Sequence, residues 1–226
     1  MKAMVLAAGC GVRMRPLTEH VPKPLLHAGG RPLVEHVLLA LRREGFIEVL
    51  LNVAYLGEMI IQHLGDGRRL AMQLHYSNEG TEPLGTAAGV RRALPALGEQ
   101  PFLVTSADVV TDFPYGQLSE PDGADLAHVV VVPVSKAHPQ ADFFLRAQRL
   151  AAEPPGMPVV YGNIGVFAPF FFAHPGQENE KAMGPLLRHA AEEGRVGAML
   201  HTGWWVNVGT PQALALLDAH CPVSGL

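Results

Sequence analysis

Two cysteines are all the sequence has, Cys10 and Cys221, near opposite ends of 226 residues. That is too few for a disulfide framework, and a reducing cytoplasm is the expected setting. The 11 histidines are scattered, with no HExxH and no cysteine spacing for zinc. No apolar run approaches the ~20 residues of a membrane helix. Met1–Gly9 is apolar but short, and it runs straight into glycine-rich sequence, so it reads as a strand rather than a signal peptide. Charge of one sign is not concentrated either. There are 17 Lys and Arg against 21 Asp and Glu, a net charge of −4 and a pI near 6.2. With no basic block or stripe, neither nucleic acid nor an anionic membrane is an expected partner. Internal repeats, low-complexity tracts and linker-like composition are absent. Hydrophobic residues at 48% against 17% charged exclude a disordered chain.

What the sequence does have is glycine and proline, 24 and 19 of them, spread without a period and marking many tight loops. Between them the first two-thirds alternates strand and helix patterns. Strands are expected at Ala3–Ala8, Glu48–Val53, Ala71–Tyr76 and Phe102–Ser106, and helices at Pro32–Glu44, Leu56–Leu64 and Gly85–Leu97. That order predicts an α/β fold, a Rossmann-like, mostly parallel mixed sheet flanked by helices, in one domain. After Asp125 the grammar loosens. Leu126–Val134, Asp142–Leu150 and Val159–Phe167 read as strands, Met183–Glu193 as a helix, Val196–Val208 as containing strand, and Pro211–His220 as a closing helix. Residues 1–125 are expected to handle mainly nucleotide and 126–226 mainly sugar, within a single unit of 1–226.

The most informative stretch runs from Leu6 through Ala8, Gly9, Cys10, Gly11 and Arg13 to Thr18, followed by Pro22-Lys23-Pro24. Glycines after a first strand let backbone N–H groups approach phosphate oxygens. Arg13 offers a planar fork and Lys23 a compact charge whose backbone two prolines restrict. No GxxxxGK[ST] is present, so this is not a P-loop. Met14 replaces the third glycine of a dinucleotide fingerprint, and Asn52 and Val53 stand where its acidic residue belongs, which disfavours a dehydrogenase. Asp108, just past an apolar strand, stands where open α/β sheets bind ligands.

These motifs resemble the signature of the sugar-1-phosphate nucleotidyltransferases, and the resemblance extends over nearly the whole chain. The subgroup most like it is the short N-acetylmuramate-1-phosphate uridylyltransferases of cell-wall recycling. The resemblance implies transfer of a nucleotidyl group from a nucleoside triphosphate, UTP favoured, to a sugar 1-phosphate, with pyrophosphate leaving. It implies that Gly9 and Gly11 wrap the triphosphate, with Leu6 and Ala8 also binding the nucleotide. Arg13 would neutralise the leaving group, Lys23 would hold the reacting phosphates, and Gly85 and Thr86 would lie in the base-binding loop. Asp108 and Asn207 would hold Mg²⁺, and Asp142 and Asn163 would meet the sugar. Two departures stand out: Asn207 replaces the Asp usual in the subgroup's Trp-Val-Asp-Val-Gly-Thr, and Ser106-Ala107 replaces Asn-Gly. They leave open a second reading, a non-catalytic nucleotide- or sugar-phosphate-binding regulatory protein. Mannose or glucose 1-phosphate, GTP or dTTP remain alternative substrates, and the chain is a monomer or homodimer on this reading. Glu79 is expected either to touch the nucleotide or to be solvated in an exposed loop, Trp204 and Trp205 to serve packing, Cys10 to lack an activated thiolate, and Phe170–Phe172 to form a buried cluster.

Overall fold

The structure, a computed structural model, describes residues 1–220, so Cys221 lies outside the described residues. The first half supplies β1 (Ala3–Leu6), the short pair β2 (His27–Ala28) and β3 (Arg31–Pro32), α1 (Leu33–Arg43), β4 (Glu48–Val53), α2 (Gly57–Leu64), β5 (Gln73–Asn78), α3 (Thr86–Leu97), β6 (Phe102–Ser106) and β7 (Val109–Thr111). The second half supplies β8 (Ala127–Pro133), β9 (Phe143–Arg146), β10 (Arg149–Ala151), β11 (Met157–Phe167), α4 (Met183–Glu192), β12 (Val196–Leu200), β13 (Trp205–Asn207) and α5 (Pro211–His220).

Nine strands form one mixed sheet in the order β5-β4-β1-β6-β11-β8-β12-β10-β9. β5, β4, β1 and β6 run parallel, joined by helical crossovers. β11 enters antiparallel between β6 and β8, and β12 pairs parallel with β8. Alternation within the strands builds a core on each face. Ala3, Val5, Val49, Leu51 and Leu103 face one side, against Val34, Leu38 and Leu41 of α1 and Ile60 of α2. Met4, Leu50, Phe102 and Val104 face the other, against Val90 of α3 and Leu187 of α4. A third, smaller core joins Met14, Leu33, Val208 and Leu217. Met14 and Leu217 are fully buried there, each contributing ~1.5–3 kcal/mol of hydrophobic stabilisation. It ties the glycine-rich loop to the C-terminal elements.

Several expectations shift in detail. β1 stops at Leu6 rather than Ala8, because the chain turns there toward the loop. β5 begins only at Gln73, since Ala71 takes a left-handed conformation (φ 52) that closes the preceding turn. Asp142–Leu150 is not one strand but a hairpin, β9 and β10, turned at Ala147 and Gln148 with φ of 40 and 67. Neither residue type announces such a turn. Val196–Val208 divides into β12, inside the main sheet, and β13, which leaves it to pair antiparallel with β7. Of Phe170–Phe172, Phe171 and Phe172 are buried, but Phe170 is half exposed. Among the described residues no helix is long and apolar enough to cross a membrane.

Candidate active site

β1 and β6 end side by side, with Leu6 opposite Ser106 in the ladder. The loops leaving them border a cavity of about 340 Å³. Around it the structure gathers Leu6, Ala8, Gly9, Gly11, Arg13, Lys23, Gly85, Thr86 and Asp108. These nine residues are drawn from four separate segments.

The glycine-rich loop owes its shape to local chemistry. Gly11 is left-handed (φ 62, ψ 33) and opens the short 3₁₀ turn Val12–Met14. Its carbonyl accepts from the Met14 amide (2.8 Å) and from the buried Thr18 hydroxyl (2.8 Å). A Cβ at Gly11 would lie 3.0 Å from Lys23 Cβ and 3.0 Å from Thr18 Cγ2. At Gly9 a Cβ would meet nothing within 4 Å, because that side is open. Arg13 is exposed, with its guanidinium beside Gly209, where an added Cβ would be 3.1 Å from Nη2. Among the described residues Arg13 makes no ion pair, so its donors face solvent and the cavity.

Lys23 opens a second 3₁₀ turn behind Pro22. Its ammonium donates to Asp108 Oδ2 in a close ion pair whose side chains are 12% and 23% exposed. This low exposure leaves both groups little water, so each depends on the other or on a charged ligand. Next to Asp108, β13 pairs with β7. Asn207 stands opposite Val109, and the Val208 amide donates to the Asp108 carbonyl (2.8 Å). Among the described residues, the Asn207 Oδ1 is buried without a hydrogen-bond partner. An orphaned buried amide oxygen on the segment hydrogen-bonded to an aspartate suits a hard oxygen-seeking cation, which takes few protein ligands.

The floor of the site is a polar relay that sequence reasoning missed. The Ala7 amide donates to Asn52 Oδ1 (2.9 Å), the Asn52 amide group donates to Glu79 Oε1 (2.8 Å), and the Leu84 amide donates to Glu79 Oε2 (2.8 Å). Glu79 is therefore not a solvated loop residue; it locks the loop before α3 to the loop after β1. The available signal was Asn52 itself, a polar residue ending an apolar strand.

Gly85 has φ 106, and a Cβ there would approach the Lys181 carbonyl to 2.6 Å. That same carbonyl accepts from the Ala87 amide (2.9 Å), and Thr86 Oγ1 accepts from the Met183 amide (2.8 Å). The start of α3 is thus pinned to the start of α4, and some of its donors are spent within the protein. Asp142, Asn163 and Asn207 lie outside the cavity lining. Asp142 is exposed and accepts from the Tyr161 amide (3.0 Å). Asn163 is left-handed (φ 56) in the irregular stretch of β11 between Tyr161 and Gly165. The Trp205 indole N–H donates to the neighbouring Gly162 carbonyl (3.0 Å), and Trp204 stacks on His220, so both tryptophans pack as expected. Cys10 is half-buried.

Comparison with known proteins places this chain in a family. Residues 2–143 match the nucleotidyl transferase family model. An N-acetylmuramate alpha-1-phosphate uridylyltransferase of Neisseria meningitidis is 38% identical over 218 residues, 93% of this chain and 94% of the relative. A protein of the same name from Caulobacter vibrioides is 31% identical over 231 residues, 96% of this chain and 95% of the relative. The inositol-1-phosphate CTP transferase structure from T. maritima superposes with a TM-score of 0.78 at 18% identity, over 99% of this chain and 98% of the other, and so shares the fold. The family match over more than half of the chain, with identities that run nearly end to end, establishes that this chain belongs to the nucleotidyl transferase family.

Proposed function

We propose that the chain is a Mg²⁺-dependent uridylyltransferase that joins UTP and N-acetylmuramate 1-phosphate into a nucleotide sugar and releases pyrophosphate. The observation that carries the chemistry is the Lys23–Asp108 pair at the strand ends next to the glycine-rich loop, with the orphaned Asn207 oxygen on the segment hydrogen-bonded to Asp108. The base and sugar follow the two relatives just described.

Two polyanions must meet here, so the work is positioning and charge neutralisation. The open side of Gly9 admits the triphosphate against the loop backbone, and the left-handed Gly11 orients the amides that follow it. Lys23 uses a single contact to Asp108 and keeps further ammonium donors for phosphate oxygens. Arg13, unpaired and on the rim, is suited to the leaving pyrophosphate. The Asn52–Glu79 relay holds the two loops at fixed separation, so the α-phosphorus is presented in one place. The sugar phosphate oxygen attacks it directly, and no enzyme nucleophile is required. Asp108 and Asn207 would hold Mg²⁺, which supplies charge neutralisation to the phosphates when bound.

The test is a pyrophosphate-release matrix of several triphosphates against several sugar 1-phosphates with Mg²⁺, with Asp108→Ala as the inactive control. UTP with N-acetylmuramate 1-phosphate is expected to give the highest kcat/KM. A different best pair would replace the substrate assignment, and binding without turnover of any pair would favour the regulatory reading that Asn207 invites.

A further inference from the structure

At the end of α4 remote from Thr86, three side chains converge that the transferase site does not use. His189 lies in the last turn of α4, Glu193 caps it, and His174 comes from the loop before it. His174 Nε2 is 3.5 Å from Glu193 Oε2, and His189 Nε2 is 3.4 Å from Glu193 Oε1. All three ligand atoms lie within 4.8 Å of one another. The two imidazoles meet edge to face with centroids 5.2 Å apart. His174 Nδ1 is 3.3 Å from the Pro175 carbonyl. A proton on Nδ1, donated to that carbonyl, leaves the Nε2 lone pair facing the cluster, the usual support of a metal-bound histidine. Among the described residues the one Lys or Arg paired with Glu193 is Arg195, whose Nη1 is 3.7 Å from Oε2 while its Nε donates to the Ala124 carbonyl.

We infer that His174, His189 and Glu193 form a binding site for one borderline divalent cation of the Zn²⁺ class, separate from the Mg²⁺ site. Ligand bonds of ~2.0–2.1 Å in tetrahedral geometry put ligand atoms ~3.3–3.4 Å apart, with water as the fourth ligand. Each histidine already stands near that spacing from one oxygen of Glu193, His174 from Oε2 and His189 from Oε1, so a rotation of the carboxylate brings a single oxygen to face both. Two imidazoles and one carboxylate select Zn²⁺ over Mg²⁺, which prefers oxygen donors alone. The position gives the ion a structural consequence. The segment from His174 to Lys181 is held by Arg91 of α3, which donates to the carbonyls of Phe172, Gln177 and Glu180. It ends on the Lys181 carbonyl beneath Gly85. A cation at His174 fastens the start of that segment to α4.

Isothermal titration of the full chain with Zn²⁺, in excess Mg²⁺, reads the site directly. One Zn²⁺ per chain is expected, with affinity reduced at least about tenfold in each of His174→Gln and His189→Gln. Co²⁺ should give the intense visible absorption of a four-coordinate site, lost in the same variants. Should His174→Gln fail to fold, His189→Gln alters only a partly exposed helical side chain and still decides the matter. Binding of less than one ion per chain, or equal affinity in the wild type and His189→Gln, would overturn the inference.

Discussion

At the scale of single residues, glycines of like sequence context do different work. Gly11 is left-handed and tightly faced by Lys23 and Thr18, whereas Gly9 is open on its Cβ side. Gly11→Ala should therefore lower thermal stability, by ~1–2 kcal/mol from the left-handed backbone alone, and lower kcat by displacing Lys23. Gly9→Ala should leave the melting temperature nearly unchanged and raise KM for the triphosphate, because its methyl group enters ligand space. Thermal melts and steady-state kinetics on the two variants separate these effects. Asn207 makes a second case. Its oxygen is buried and unpaired, so Asn207→Asp adds a charge where a cation is expected. The variant should bind Mg²⁺ more tightly, seen as a lower half-saturating Mg²⁺ in the activity assay, and be less stable without Mg²⁺ because the carboxylate is then buried uncompensated. The sequence showed Asn207 as a departure from the resembling motif. That its oxygen is orphaned is a property of burial, which no local pattern reports.

At the scale of elements, side-chain bonds between loops and helices decide how the pieces are held. Removing Glu79 leaves the Leu84 amide and the Asn52 amide group without acceptors, so Glu79→Ala should cost ~1–3 kcal/mol. It should also lower kcat more than it raises the KM for the sugar phosphate, since it loosens the triphosphate loops and leaves the acceptor side intact. Glu35 of α1 is a second such joint. It accepts from His63 of α2 (2.7 Å) and from Arg69 in the turn before β5. Burial opposes its ionisation, but the Arg69 and His63 bonds outweigh burial and hold its carboxyl below the ordinary value. A lowered folded-state value means that the ionised form stabilises the fold above the ordinary glutamate range. That contribution is lost as pH falls through ~4.3 and below. The melting temperature of Glu35→Gln should thus lie below wild type at neutral pH, and the gap should close in acid. Periodicity made the strands and helices of the first half legible, because apolar spacing alone decides them. The joints were not, since Asn52, Glu79 and Glu35 meet partners far away in sequence. The β9–β10 hairpin escaped for a related reason: Ala147 and Gln148 turn without turn-forming residues.

At the scale of the molecule, the two halves read from the sequence share one sheet. β11 of the second half lies between β6 of the first and β8 of the second, and β13 pairs with β7. Cores on both faces of the sheet draw residues from both halves. Unfolding in denaturant should therefore follow one transition by tryptophan fluorescence and by far-ultraviolet circular dichroism, with coincident midpoints. A chain severed between 125 and 126 should give two fragments of which neither retains the native fold. The overall architecture was visible early because alternating strands and helices leave few topologies open. The place of β11 was not, as insertion out of sequence order depends on pairing energies rather than on local pattern.

That insertion bears on how the protein is made. On the ribosome β8 emerges before β11, yet its place in the sheet is two positions from β6, with β11 between them. The parallel strands through β6 can pair as soon as they leave the exit tunnel, while β8 must wait, its Val129–Val132 run exposed, until Met157–Phe167 arrives to fill the slot. Asn207 comes later still. With it come Gly209 of the cavity wall and Val208 and Leu217 of the core beneath Met14, so a nascent chain would complete the cavity only when its C-terminal elements arrive.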